Sequence, residues 1–101
     1  MKTPLTLVTV ITESLFKDKI IEILNDKGAT GHTLTNVRGE GSRGNRSVDW
    51  EGPSIKVESI VPPDVADAIL EAVSDGYFKN HSVIAWTTEV NVIRGEKFIR
   101  K

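Results

Sequence analysis

The order of two amphipathic helical segments among four segments of strand composition most constrains the fold of this chain. Apolar residues recur at the helical spacing i, i+4, i+7 and i+8 in both helical segments, and the second of these, residues 64–78, follows two prolines. The first helix is expected to end at Gly28. The two apolar stripes consist of Phe16, Ile20, Ile23 and Leu24, and of Val65, Ile69, Ala72 and Val73. Strands are predicted over residues 5–12, 30–38, 55–61 and 82–93, which are rich in β-branched side chains.

The resulting order, β-α-β-β-α-β, predicts an α+β fold of the ferredoxin-like type. Two split βαβ halves with right-handed crossovers place the strands in one four-stranded antiparallel sheet, with both helices on one face and the first and third strands at the centre. The first strand, LTLVTVIT, nevertheless has apolar side chains in both phases: Leu5, Leu7 and Ile11 in one, Val8 and Val10 in the other. We therefore expect another copy of the chain to cover the face that the helices leave open.

Length, charge and composition exclude several classes of protein. A chain of 101 residues with 39% hydrophobic content suits a single domain over residues 1–101. Its 13 basic and 14 acidic residues leave a net charge of -1, so no broad positive field for nucleic acid is expected. The absence of cysteine excludes disulfides and thiolate metal sites. No apolar run approaches 18 residues and no signal peptide is recognisable, so we expect a cytoplasmic protein without direct membrane insertion.

The loop between the two middle strands is much longer than the topology needs. Residues 39–53 fill a connection that 2 to 5 residues could make. The stretch RGEGSRGNRSVDWEGPS, residues 38–54, holds three of the five arginines and four of the eight glycines. Long loops in compact domains usually have a function, although loop length adds so little free energy that an idle insertion remains the alternative.

The chemistry of this loop favours a small anion. GEGSRG fits the pattern G-x-G-x-x-G, but no helix opens after Gly44, which excludes a dinucleotide-binding fold. Glycine N–H groups can still converge on one concavity, and Arg43 and Arg46 supply forked donors for phosphate oxygens. Three arginines balanced by three carboxylates suit one phosphate-bearing small molecule rather than a polyanion. Arg94 and Arg100, after the last strand, either face the same pocket or are solvated tail charges.

Other candidate residues point less clearly to chemistry. His32 and His81 lie in different segments without a partner at metal-ligand spacing, so no metal site is predicted. Ser42 and Ser47 are possible nucleophiles, but no histidine lies in their loop, and serine beside glycine is common in turns. Trp50 either stacks on a base or pins the loop to the domain, and Trp86 is expected in the core or at a subunit interface.

Two stretches of the chain resemble the PII signalling proteins. KGATGHTLTNVRGEGSRGNR, residues 27–46, is similar to their second strand and the start of their T-loop. The run G-x-G-S-R with a further arginine most resembles the PII-like branch linked to inorganic carbon, the bicarbonate-transporter regulators (SbtB type) and the carboxysome-associated PII proteins. YFKNHSVIAW and NVIRGEKF resemble the end of the last helix, the final strand and the trailing glycine of that branch.

This resemblance implies a homotrimer of ferredoxin-like subunits that bind adenine nucleotides in the clefts between neighbours. The T-loop, residues 39–53, would order or disorder with the ligand and so reach or release a protein partner, a bicarbonate transporter or a carboxysome component of a carbon-concentrating mechanism. Carried over residue by residue, the adenine side would be lined by Thr30 and Gly31, the phosphate side by Gly39, Gly41, Ser42, Arg43 and Arg46, and the wall from the tail by Gly95.

The chain also departs from the family pattern. Residues 78–83, FKNHSV, contain no glycine where typical PII proteins have a phosphate loop, so AMP, ADP or cyclic AMP is expected rather than ATP. Tyr77 is the only tyrosine and lies near a helix end, so uridylylation of the T-loop is not expected. Without cysteine, the redox hairpin of some transporter regulators is excluded, which favours the carboxysome-associated variety, in which bicarbonate is a co-ligand.

The sequence therefore predicts a non-catalytic signal-transduction protein that requires no metal. A weak ATPase activity in the T-loop site remains the alternative. An acylphosphatase-type cradle would need glycine after the first strand, where TESLFKDK has none. An RNA-binding sheet would need exposed aromatic residues on its central strands, and LTLVTVIT and IKVESIV have none.

Overall fold

The computed structural model describes residues 2–38, 53–77 and 83–99. Four strands and two helices occur in the predicted order. They are β1 (Lys2–Glu13), α1 (Lys17–Lys27), β2 (Thr33–Val37), β3 (Ser54–Val61), α2 (Pro63–Tyr77) and β4 (Val83–Ile93). Short 3₁₀ turns precede α1 (Ser14–Phe16) and follow β4 (Gly95–Phe98). Within the described ranges, no helix has the length and apolar character needed to cross a bilayer.

The strands form one sheet in the order β2-β3-β1-β4, in which every neighbouring pair is antiparallel. The prediction of a ferredoxin-like sheet with the first and third strands at its centre is therefore confirmed. At one end of the sheet, Glu13 lies opposite Ser54 and Ser54 lies opposite Val37. We call this the loop end, because residues 38–53 join β2 to β3 there. At the other end, Thr3 of β1 lies opposite Val92 of β4.

The core lies between the helices and one face of the sheet. Val8 and Val10 of β1 alternate with side chains of the other phase and are at most 1% exposed. They pack with apolar residues of β3, α1 and α2, which include Ile55, Val57, Val61, Ile20, Leu24, Ile69 and Val73. Both apolar stripes predicted from the sequence thus supply the core. Phe16, in the 3₁₀ turn before α1, and Ala72 of α2 are the exceptions and are only half-buried.

The second face of the sheet has no helical cover. Leu7 and Ile11 of β1 point to this face and are half-buried. Ile84 and Trp86 of β4 lie opposite Ile11 and Thr9, which puts both side chains on the same face. Ile84 is 57% exposed and Trp86 is 41% exposed. Trp86 therefore lies outside the core of the subunit. Of the two positions expected for it, the core and a subunit interface, the interface is the one that this exposure allows.

Candidate functional site

The connection from α1 to β2 presents a short exposed segment between two fixed points. Gly28 ends α1 in the left-handed conformation, with φ 111°, and Ala29 is buried in the core with 2% exposure. Further along, the Gly31 carbonyl accepts a hydrogen bond of 2.6 Å from the Ser59 hydroxyl of β3. Thr30 and Gly31, both predicted on the adenine side of the site, are exposed. The chain thus presents their backbone at the surface in a fixed position.

Gly31 has open space beside its backbone. A Cβ added at this residue would meet no heavy atom within 4 Å, and its φ lies outside the positive range that disfavours side chains. Neither backbone conformation nor packing within the subunit requires glycine here. A ligand or a second subunit can therefore approach the Gly31 backbone closely.

Gly95 is in the opposite situation. It is buried after Arg94, which adopts the left-handed conformation with φ 66° and ψ 41°. A Cβ at Gly95 would overlap the side chain of Thr3, at 2.6 Å from Oγ1 and 2.9 Å from Cγ2. Contact with β1 of its own subunit is therefore sufficient to require glycine at this position.

The strand order separates the two parts of the predicted site. Thr30 and Gly31 precede β2 and Gly95 follows β4, and these strands are the opposite edges of the sheet. Gly95 packs on Thr3 of β1, which is two strand spacings, about 10 Å, from β2. Along the strands, Thr3 also lies six residues before Thr9, which is level with the start of β2. One subunit therefore does not bring Gly31 and Gly95 together. A pocket that contains both residues is therefore expected between copies, with the β2 edge from one copy and the Gly95 segment from another.

The residues predicted on the phosphate side, Gly39, Gly41, Ser42, Arg43 and Arg46, lie outside the described residues. The two ends of their loop are described. Arg38 is exposed after β2, and the Pro53 carbonyl accepts a hydrogen bond of 3.0 Å from the Ser14 N–H. Because the loop leaves from β2, it starts from the same sheet edge as Thr30 and Gly31.

Ser59 is a residue of this region that the sequence patterns did not single out. It faces the helices from β3 and is 3% exposed, while its neighbours in the same row, Ile55, Val57 and Val61, are apolar. A single hydroxyl in an otherwise apolar buried row is a signal that it has a fixed partner, because an unbonded buried hydroxyl destabilises the fold. That signal was present in IKVESIV, although it does not identify the partner.

The polar groups in the described part of the site are suited to binding a ligand. They are the backbone N–H and C=O groups of the exposed residues 30 and 31, together with the Thr30 hydroxyl. Across the described ranges, no three His, Cys, Asp or Glu side chains lie close enough together to hold a metal ion. His32 is exposed, and His81 lies outside the described residues.

Comparison with known proteins finds similar sequences and structures. The sequence model of the family described as nitrogen regulatory protein P-II matches residues 5–97. A solved structure described as a PII-like signalling protein from Thermus thermophilus is 48% identical in sequence, with a TM-score of 0.83. The match covers 96% of this chain and 97% of the Thermus chain.

Two structures of CPII, from Thiomonas intermedia, are also similar. One contains ADP and bicarbonate and is 25% identical, with a TM-score of 0.84 and coverage of 97% of each chain. The other contains ADP, AMP and acetate. At 24% identity, a TM-score of 0.87 and coverage of 99% of each chain, it shows that the fold is shared.

Proposed function

This chain belongs to the nitrogen regulatory P-II family, and we propose that it is a cytoplasmic, non-catalytic signalling protein that binds an adenine nucleotide between subunits of a homotrimer. Membership of this family implies a trimer with nucleotides bound between its subunits. Solved CPII contains ADP together with bicarbonate, which supports the same class of ligand here. The proposed site combines Thr30, Gly31 and the T-loop of one subunit with the Gly95 segment of its neighbour.

The observation that carries this proposal is the placement of Gly31. Its backbone is exposed, is held by Ser59, and has room for a close contact that the subunit itself does not fill. The T-loop leaves from the other end of the same edge strand, and we propose that Arg43 and Arg46 extend from it to the phosphate end of a ligand whose base lies against that backbone. Guanidinium groups match phosphate oxygens with two parallel hydrogen bonds, so the phosphate end belongs with the loop.

The segment before β4 favours AMP, ADP or cyclic AMP over ATP. Residues 78–83 contain no glycine, so they lack the backbone freedom with which a loop wraps a terminal phosphate. The phosphate groups must then be held mainly by the two T-loop arginines. Bicarbonate, a small planar anion, is the proposed co-ligand beside the nucleotide.

Ligand binding would regulate a partner through the T-loop. A nucleotide that contacts Arg43 and Arg46 favours one arrangement of residues 39–53 and changes their affinity for a second protein. A coupling of about 1–3 kcal/mol is typical of allosteric proteins, and a few charge-assisted hydrogen bonds supply that amount. We propose an inorganic-carbon partner, either a bicarbonate transporter or a carboxysome component.

Calorimetric titration tests the proposal. AMP, ADP, cyclic AMP and ATP are titrated separately into the purified protein, with and without bicarbonate, and ATP is expected to bind most weakly. The variant Arg43→Ala/Arg46→Ala is expected to lower the affinity for AMP by at least about tenfold, the equivalent of 1.4 kcal/mol. The matched control, Lys19→Ala/Lys27→Ala, removes two exposed positive charges from α1 and should bind AMP like the parent.

Two results would contradict the proposal. The absence of saturable heat with every adenine nucleotide would exclude nucleotide sensing. Release of phosphate from ATP that stops in the variant Arg43→Ala would show instead that the T-loop site is a weak hydrolase.

A further inference from the structure

Ser59 is the one polar side chain in the buried row that β3 turns toward the helices. Its row neighbours on either side, Val57 and Val61, are at most 1% exposed and belong to the core. Ser59 itself is 3% exposed, so its hydroxyl is as deeply placed as those valines. The hydroxyl donates to the Gly31 carbonyl, 28 residues earlier in the chain, at 2.6 Å. Through this bond, the core strand β3 holds the exposed residues 30 and 31 in place.

The bond also orients the peptide that joins Gly31 to His32. In a trans peptide the C=O and the N–H point in opposite directions within one plane. Because the Gly31 carbonyl points at Ser59, the His32 N–H points away from Ser59. The β2–β3 ladder begins only at Thr33, so this N–H precedes the ladder. Gly31 and His32 are both exposed, so the donor is carried by a peptide at the surface.

We infer that Ser59 is a positioning residue that sets the base selectivity of the nucleotide site, because it aims the His32 N–H at a ring nitrogen of adenine. The inference rests on the proposed function and deepens it. The N1 atom of adenine is a hydrogen-bond acceptor, whereas N1 of hypoxanthine carries a hydrogen. A fixed N–H donor therefore accepts AMP and rejects IMP, since a buried donor that faces another donor stays unpaired.

Without the hydroxyl, the Gly31–His32 peptide can turn, because Gly31 has neither a side chain nor close neighbours to restrain it. The variant Ser59→Ala should then bind AMP more weakly and lose part of its discrimination against IMP. A single hydrogen bond of this kind corresponds to a change of about two- to tenfold in the ratio of the two affinities. Loss of general stability alone would lower both affinities together and leave their ratio unchanged.

The experiment compares three variants in the full-length protein by calorimetry with AMP and IMP. Ser59→Ala is expected to lower the AMP-to-IMP affinity ratio, whereas Ser59→Thr, which keeps a hydroxyl, should retain it. Val57→Ala is the matched control: it removes side-chain volume from the same buried row, so it should reduce resistance to urea and keep the ratio. The ¹³C shift of the Gly31 carbonyl should move in Ser59→Ala and remain in Val57→Ala.

Each outcome decides the inference. A folded Ser59→Ala protein with the parental ratio overturns it, and so does a Val57→Ala protein whose ratio falls equally. If Ser59→Ala does not fold, Ser59→Val, which has no donor and fills the site with apolar volume, replaces it, and an unchanged ratio again overturns the inference. A parent protein that binds no adenine nucleotide overturns the proposed function and this inference together. Parental AMP binding with an unaltered ratio in Ser59→Ala overturns only the inference.

Discussion

Gly31 is a glycine for which the isolated subunit provides no need. Its φ is not positive, and a Cβ would meet nothing within 4 Å. At Gly28 the left-handed φ of 111° explains the glycine, and at Gly95 the side chain of Thr3 does. The sequence has glycine at all three positions and does not distinguish the reasons for it. Only the structure separates a conformational requirement and a packing requirement from a position that is open to an outside molecule.

The substitution Gly31→Ala should therefore separate binding from stability. The free energy of unfolding is expected to stay the same or rise by up to about 1 kcal/mol, because alanine restricts the unfolded chain. The affinity for AMP should fall by about tenfold, since a methyl group that intrudes on a close contact destabilises it by about 1–3 kcal/mol. Urea unfolding and calorimetry measure the two quantities.

Gly76→Ala is the control for Gly31→Ala. A Cβ at Gly76 also meets nothing within 4 Å, but this residue lies in α2. Alanine there should stabilise the helix by about 0.5–1 kcal/mol and leave AMP binding unchanged. Equal loss of AMP binding in both variants, or in neither, would contradict a ligand contact at Gly31.

The substitution Gly95→Ala should act through Thr3. A methyl group at Gly95 overlaps that side chain, and the overcrowding is expected to lower the free energy of unfolding by about 1–3 kcal/mol. Because the overlap includes the Thr3 Cβ, Thr3→Ala would not relieve it, whereas Thr3→Gly would. A double-mutant cycle in urea measures the coupling between the two positions. Strictly additive effects of Gly95→Ala and Thr3→Gly would contradict the overlap.

At the scale of elements, periodic patterns predicted most of the fold, and errors concentrate at strand ends. The predicted second strand, 30–38, is Thr33–Val37 in the structure. Residues 30–32 have strand-like composition, but the Ser59 bond to Gly31 makes them part of the crossover. Contacts between residues far apart in the chain decide such ends, and no local pattern contains them.

The first strand differs for another reason. It was predicted from Leu5 and begins at Lys2, and it includes Pro4. Pro4 pairs with Asn91 of β4, whereas the ladder with β3 begins only at Thr6. Pro4 therefore lies where β1 has a neighbour on one side only, a position at which a residue without an N–H is tolerated. The sequence does not show where the third strand ends.

The fold is expected not to depend on the T-loop. We expect a chain in which Asn-Gly replaces residues 39–52 to fold normally, because Arg38 and Pro53 remain and still connect the pair Val37↔Ser54. Shortening the connection from 16 residues to 4 should raise the free energy of unfolding by about 1 kcal/mol. The affinity for AMP should fall by at least about tenfold, because the two proposed charge-assisted phosphate contacts are removed.

A second chain separates loop length from loop chemistry. In it, 14 residues of glycine, serine and asparagine replace residues 39–52 and keep the parental length. It should also bind AMP weakly, although its stability should match that of the parent. Sedimentation should show trimers for both chains. Parental AMP affinity in the chain with the short loop would show that the T-loop is not part of the nucleotide site.

At the scale of the whole molecule, the open sheet face and the separation of the proposed site residues both favour association with a second copy. The helices cover one face of the sheet, and Ile84 and Trp86 remain 57% and 41% exposed on the other. Gly31 precedes the edge strand β2, whereas Gly95 packs on Thr3 of β1, away from that edge. Composition and periodicity predicted the uncovered face. The distance between the site residues was not predicted, because residues carried over one at a time from a family bring no spacing with them.

The substitution Trp86→Glu tests whether assembly and binding depend on each other. Trp86 lies outside the core, so the subunit should fold with its parental circular dichroism spectrum. A carboxylate in the middle of the open face should prevent association, because an unpaired charge is strongly disfavoured in a buried apolar interface. The protein should sediment as a monomer, and calorimetry should show little AMP binding, because neither sheet edge alone completes the pocket.

The control for Trp86→Glu is Ser74→Glu, which places the same charge on the exposed surface of α2 and should leave both properties unchanged. A monomeric Trp86→Glu protein with parental AMP affinity would show that one subunit holds the whole site. If Trp86→Glu remains a trimer, the open face is not the surface through which the subunits meet.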